Sequence, residues 1–283
     1  MKYFWETISS WAYWRYVLFS INGIQSVLVV FGGIFLFVEA LDFFGLYSRD
    51  QYANYAVLLI LGLSVLISTV TRRPITSITL GFPQRDFDVE IRIGDLFDSP
   101  GAVMISSNTD FEADVASGKI APESLQGQFT ARYFTGNQGE LIEEIEGYLA
   151  SESIKVPAEY GTKIPIHTHG KTFYFCAMAS LNEKGTASTT VQYVKEALNG
   201  LWTHVREAGE LQELAVPLVG TGRGRVKTTR KKMIEIIAQS FVDASNDAVF
   251  SSRLVIVVRP EDAKQFQVNL WDIKDHLRHS VES

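Results

Sequence analysis

The chain has a single cysteine, Cys176. One thiol excludes an intramolecular disulfide and any metal site built from several cysteines. Cys176 lies in the apolar run from Phe173 to Ala179, which reads as an inert core thiol. Positive charge is not in excess either. The 283 residues carry 26 lysines and arginines against 32 acids, a formal net charge of −6. Nucleic-acid binding favours a broad basic face, so no nucleic-acid partner is expected. Two stretches almost lack charge. Val17 to Leu41 has none before Glu39, and Tyr52 to Val70 has none at all.

Two nucleotide fingerprints are also missing. A Walker A loop needs glycine, four residues, then Gly-Lys-Ser/Thr, but Arg225 stands five positions after Gly220. The GxGxxG dinucleotide motif fails at the same arginine. What is there instead is AVPLVGTGRGRVKTTRKK, residues 215–232. Leu214 to Val219 reads as a strand covered on both faces. Gly220, Gly222 and Gly224 let the backbone bend and approach a ligand. Thr228 and Thr229 offer hydroxyls to cap a following helix, predicted over 227–245. Arg223, Arg225, Lys227, Arg230, Lys231 and Lys232 crowd this loop with no acid among them. A glycine-rich turn that feeds a helix N-terminus presents N–H groups to an anion, so phosphate is the natural partner.

Residues 1–75 read as a membrane unit. A spanning helix needs about 20 apolar residues, and both uncharged stretches meet that length. Each is apolar around its whole circumference, unlike a helix buried on one side. A signal peptide would have a shorter apolar run and a small-residue cleavage site. Tyr3, Phe4, Trp5, Trp11, Tyr13, Trp14 and Tyr16 form an aromatic belt before the first span, which places this N-terminal piece at the interface. Arg15 precedes span one and Arg72-Arg73 follow span two. The loop Asp42–Gln51 has two acids and one base. The positive-inside rule then puts both termini, and the large C-terminal domain, in the cytoplasm. Residues 1–75 sum to +1 and the remainder to −7. In span one, Asn22, Ser26, Val29 or Val30, and Gly33 recur every three or four residues beside Gln25, and span two has Ser64 and Ser68. This small-residue pattern is read as packing within the helix pair. Contact between copies of the chain, or a water path, is the alternative.

The predicted organisation is therefore 1–75 for the interfacial segment and two spans, at about 17–41 and 52–71. A linker over 76–85 and one α/β domain over 86–283 follow. In that domain Phe87, Val89, Ile91 and Ile93 alternate as a strand ending at Gly94-Asp95-Leu96. Ala102 to Asn108 holds a second strand, and 109–138 reads as an irregular segment of the kind that forms binding loops. Helices are predicted over 139–150, 188–209 and 261–278, and strands over 172–181 and 253–258. Alternating strands and helices indicate a three-layer domain, whose ligands collect at the carboxyl ends of its strands.

The ordered set Gly94-Asp95-Leu96, Asn108 and Pro217-Leu218-Val219-Gly220-Thr221-Gly222 resembles a macro domain over about residues 86–275. The resemblance implies an α/β/α fold with a mixed sheet, and ADP-ribose as the ligand. It implies that Asp95, with Leu96 beside it, takes the adenine amino group. Asn108 would lie near the distal ribose. Gly220, Thr221, Gly222, Arg223, Gly224 and Arg225 would wrap the diphosphate. Ile105-Ser106-Ser107-Asn108 replaces a VNAAN-type stretch. Thr109 to Gln138, which includes Phe111 and Ser124-Leu125-Gln126-Gly127-Gln128, replaces the usual glycine-rich segment. That implies a distal pocket of different shape, with Phe111 in its lining.

Two spans before such a domain resemble the membrane-anchored macro effectors of bacterial Thoeris antiviral defence. The resemblance implies a sensor rather than an enzyme, with no cofactor and no metal. A TIR-domain partner enzyme makes an ADP-ribose-derived second messenger from NAD, joined to histidine in the two-span class. The macro domain binds it, the chain forms a homo-oligomer, and the bacterial inner membrane is compromised. Two other functions fit the same residues. One is a tethered ADP-ribosyl hydrolase, with Asp110, Glu112, His167 or His169 as base. The other is a reader that recruits ADP-ribosylated proteins to the membrane. His167 and His169 would share one face of a strand as two metal ligands, but no third is assignable.

Overall fold

The computed structural model describes residues 2–46, 53–82, 85–182, 186–208, 212–219, 226–246 and 248–281. The chain forms two compact units. One is Met1–Ile75 with Lys264–Asp272, the other Thr76–Ala263 with Ile273–Ser283.

The first unit has four helices, α1 (Lys2–Ile8), α2 (Trp11–Phe19), α3 (Ile21–Phe43) and α4 (Ala53–Thr71). The sequence predicts the first span from residue 17. The structure begins it at Ile21, because Ser20 is extended and its hydroxyl accepts the Gly23 N–H at 2.9 Å as an N-cap. Gly23 is required there, since a Cβ would lie 2.3 Å from the Val17 carbonyl oxygen. With 23 residues and a mean hydropathy of 2.2, α3 is long and apolar enough to cross a membrane. At 19 residues, α4 is shorter, and it packs antiparallel along α3. Ser26 Oγ meets Ser68 Oγ at 3.4 Å, and Arg72 reaches the Asn22 carbonyl at 3.3 Å. Ser64 and Ser68 are fully buried, so these small residues serve packing within the pair. The Tyr13 hydroxyl turns towards the carbonyls of Thr69 and Arg72, and Arg72 donates to Tyr16 Oη at 2.6 Å. Trp5, Trp11 and Phe19 remain exposed, as interfacial aromatics would be.

The second unit contains β1 (Ser77–Gly81), β2 (Asp88–Ile93), β3 (Ala102–Asn108), α5 (Leu125–Tyr133), α6 (Gln138–Ser151), β4 (Lys163–Thr168) and β5 (Lys171–Leu181). These are followed by β6 (Ala187–Ser188), α7 (Val191–Ala208), β7 (Glu213–Pro217), α8 (Arg230–Ala244) and β8 (Arg253–Val258). Two short helices end the chain, α9 (Pro260–Gln265) and α10 (Leu270–Val281). The sheet runs β1-β2-β8-β7-β3-β5-β4, with β6 on β5. The inner pairs β2–β8, β8–β7, β7–β3 and β3–β5 are parallel, and β1, β4 and β6 pair antiparallel. The sheet is mixed, as expected.

Alternation along β5 sorts the helices into two layers. Phe173 and Phe175 face α5, where their rings lie 4.8 and 5.1 Å from that of Phe129. Leu141 and Ile145 of α6 join the same core. Tyr174, between the two phenylalanines, faces the other way and meets His204 of α7 at 5.5 Å. On that side α7 lies beside α8, with Trp202 against Phe241 and the indole N–H donating to Ser240 Oγ at 2.8 Å. Each such aromatic pair contributes about 0.5–1.5 kcal/mol beyond its buried area.

The structure corrects several boundaries. Residues 77–81, read as linker, form an edge strand with Ile78 and Leu80 buried. The segment 109–138 contains α5, which begins where Ser124 Oγ accepts the Gly127 N–H at 3.0 Å. Strand β4 was not anticipated. The predicted last helix is broken into α9 and α10, with Gln267 at φ 50 between them.

Candidate functional site

Chain direction decides where this sheet can take a ligand. From β3 the chain moves to β5 on one side; from β7 it moves to β8 on the other. The β3–β7 boundary is therefore a topological switch point, where the loops after the two strands diverge; the carboxyl ends at such a point are where sheets of this kind form a ligand crevice. The ladder between them is short, pairing Ala102 with Leu214 and Val103 with Ala215. Pro217 accounts for the short ladder. The Leu218 N–H donates to Val257 on β8, so the preceding amide would face β3, and proline has no N–H to give.

Three predicted subsites end strands at this edge. Asp95 follows β2, Asn108 closes β3, and the loop after β7 leaves from Leu218. With strands about 4.8 Å apart, β2 and β3 stand about 14 Å from each other across β8 and β7. Asp95 Oδ1 accepts the Phe97 N–H at 3.1 Å and caps a short 3₁₀ turn, Leu96–Asp98. Oδ2 is ion-paired with Arg132 Nη2 of α5. The Leu96 side chain is buried in the core.

Asn108 is buried and organises its own turn. Its Oδ1 accepts the N–H groups of Asp110 and Glu112 at 3.0 and 3.1 Å. Phe111 sits at φ 50, and its ring is 2% exposed, inside the core between sheet and α5. The turn is held from α5 as well, where Gln126 Nε2 donates to the Glu112 carbonyl at 2.6 Å. Glu112 itself pairs with Lys119 Nζ at 2.5 Å.

Gly220, Thr221, Gly222, Arg223, Gly224 and Arg225 lie outside the described residues. Their flanks are clear. Val219 is buried, and Thr229 caps α8 by accepting the Lys232 N–H at 3.2 Å. The loop thus joins the end of β7 to a capped helix N-terminus. Lys232 is held at 2.6 Å by Glu235, which also meets His276 Nε2 at 2.7 Å. Burial pushes the Glu235 carboxyl up, but hydrogen bonds from Lys232 and His276 outweigh it and leave its pKa below the usual value.

The histidines are elsewhere. His167 pairs with Thr172 at the start of β5, which is the amino edge of the parallel strands. The crevice is at the opposite edge, so neither His167 nor His169 can serve as a base there. His167 Nδ1 bonds Thr172 Oγ1 at 3.1 Å, and His169 Nδ1 bonds Thr168 Oγ1 at 2.9 Å. Among the described residues, no three histidines, cysteines or acids are grouped to hold a metal ion. Cys176 is wholly buried, and burial pushes its thiol up to about 12, so it is unreactive.

Arg132 was not singled out from the sequence, and Gln126 appeared there only within the stretch 124–128, with no role of its own. Both belong to a helix hidden in a segment that reads as irregular. Only the serine cap at Ser124 signalled it.

Strand order and switch point define a three-layer α/β domain with a mixed sheet. Comparison with known proteins makes this specific. The family described as Thoeris protein ThsA, Macro domain, matches residues 89–259. The chain belongs to that family. Thoeris protein ThsA of Bacillus amyloliquefaciens (strain Y2) is 25% identical over 272 residues, which is 90% of this chain and 88% of the relative. Solved structures with similarity include an Oceanobacillus iheyensis macrodomain with MES bound, at 15% identity and a TM-score of 0.47, covering 71% of this chain and 98% of that one. The same macrodomain with ADP gives 15% and 0.47, covering 71% and 97%.

Proposed function

We propose that this protein is a membrane-anchored receptor for an ADP-ribose-derived signal in Thoeris antiviral defence. Asp95 accepts the adenine amino group, the loop 220–225 wraps the diphosphate, and the distal ribose lies by Asn108. The observation that carries this reading is the strand order, which sets Asp95, the loop after β7 and Asn108 in sequence along one edge. The span of about 14 Å from β2 to β3 suits two riboses joined by a diphosphate. Glycine amides and arginines are the groups that bind phosphate oxygens well.

The role is binding rather than catalysis. Glu112 and Asn108 are engaged in holding the turn, which supports a reader more than a hydrolase. The signal is an ADP-ribose joined to histidine, made by a TIR-domain enzyme. The protein is two-pass, with the macro domain on the cytoplasmic side of the bacterial inner membrane. Binding drives homo-oligomer formation and membrane disruption, which requires that the assembled form bind the signal more tightly than the separate chains do.

The test is titration calorimetry on full-length protein in detergent, with ADP-ribose, its histidine conjugate, NAD and AMP. The reading expects tightest binding of the conjugate, loss of binding in Gly222→Glu protein that melts normally, and a ligand-dependent rise in particle mass. Failure of both ADP-ribose compounds to bind would end it.

A further inference from the structure

We propose that the Arg132 guanidinium is the platform on which the purine of the ligand stacks. This rests on the ADP-ribose reading and goes beyond it by naming a side chain, on α5, that holds the base.

Arg132 is fixed on one side. Its guanidinium lies over the Phe97 ring, 4.7 Å from the centroid, and Nη2 pairs with Asp95 Oδ2. Phe97 is itself buried, with its ring against Tyr133 at 6.0 Å and Phe173 at 6.5 Å. The side chain is not covered over, since 43% of it is exposed to solvent. The result is a planar cation held over Phe97 and paired with Asp95, which follows β2 at its carboxyl end.

Guanidinium is planar, delocalised and weakly hydrated, so it stacks well on π faces. A purine laid on the face opposite Phe97 completes a stack of Phe97, Arg132 and base. The same placement serves the hydrogen bond. An ionised carboxylate has about four acceptor positions, and Asp95 uses one for Phe97 N–H and one for Arg132. A position on Asp95 stays available for the exocyclic amine of a 6-aminopurine. A 6-oxopurine would set a carbonyl against the carboxylate. The site is therefore selective for adenine nucleotides, with Arg132 supplying the stack and Asp95 the discrimination.

The test is titration of full-length wild type, Arg132→Lys and Asp95→Asn with ADP-ribose and with its inosine counterpart. Circular dichroism and melting check that each variant is folded. Arg132→Lys keeps the charge but loses the plane, and stacking of a base is worth about 5- to 150-fold in affinity. The expected result is a loss in that range for both ligands, with the preference for adenine retained. Asp95→Asn is expected to remove the preference. Unchanged affinity of folded Arg132→Lys for ADP-ribose would overturn the platform while leaving the receptor reading intact. If wild type binds neither compound, the receptor reading fails and the platform fails with it.

Discussion

Asn108 and Gln126 direct their side-chain amides at one acceptor, the carbonyl oxygen of Glu112, at 3.4 and 2.6 Å. One residue closes β3 and the other lies in the first turn of α5. Their convergence locks the turn 108–112 that would border the distal ribose, and it keeps the Phe111 ring inside the core. Gln126→Ala removes the shorter bond from a buried position. It should destabilise the protein by about 0.5–1.5 kcal/mol, the net worth of one hydrogen bond, since Asn108 still donates to the same carbonyl. Thermal melting of full-length protein followed by fluorescence checks this, and an unchanged midpoint would show that the clamp is not needed.

Gly161 and Gly200 mark a close approach of α7 to the segment before β4. A Cβ on Gly200 would fall 2.1 Å from the Gly161 carbonyl oxygen, and Gly161 has φ 88. Gly200→Ala should therefore cost about 1–3 kcal/mol, as overpacking against backbone does. Gly139 on α6 has nothing within 4 Å of its built Cβ. Gly139→Ala should be stabilising by about 0.4–1 kcal/mol through the unfolded chain. The two melting shifts should have opposite signs.

Ser26 and Ser68 face each other across the α3–α4 pair at 3.4 Å. Cysteines placed at both positions should form a crosslink within one chain on mild oxidation. The natural Cys176 does not interfere, being fully buried with its thiol pushed up to about 12. Non-reducing electrophoresis should show a monomer of altered mobility. A product that is only dimeric would assign this serine pattern to contacts between copies instead.

His204 ties stability to pH. Burial first, and the charge of Lys163 second, lower its pKa below the ordinary 6.5. In the unfolded chain the ring takes up a proton near its ordinary value, before the folded form does. As pH falls through about 6.5, the unfolded state binds more protons and stability decreases, until the folded pKa is passed too. His204→Gln should flatten the melting curve between pH 8 and about 5.5. A wild type that gains stability over the same acidification would contradict the sign.

Periodicity in the residue order was enough for the long, strongly patterned elements. Val194, Leu198, Leu201 and Val205 repeat at helical spacing and are all buried in α7. The apolar runs of β5 and β8 could only be central strands. Two uncharged stretches announced α3 and α4, and the Asp95, Asn108 and glycine-loop order placed the chain near the macro domains. Each of these signals is local, because burial of one face or two sets the sequence period directly.

What escaped the sequence depended on partners distant in the chain. β1 is a five-residue edge strand whose pattern is set by pairing with β2. β4 exists because β5 lies beside it. The break at Gln267 needs a positive φ that no propensity announces. The same division runs through the site. Residue types and spacing determined that a glycine-rich basic loop follows a buried strand and that an aspartate and an asparagine stand at the ends of two others. Only the tertiary structure decided that His167 sits at the amino edge of the parallel strands, that Phe111 points inward, and that Arg132 lies over Phe97 and pairs with Asp95. Strand order and crossover direction fix those positions, and they are properties of the whole sheet rather than of any stretch within it.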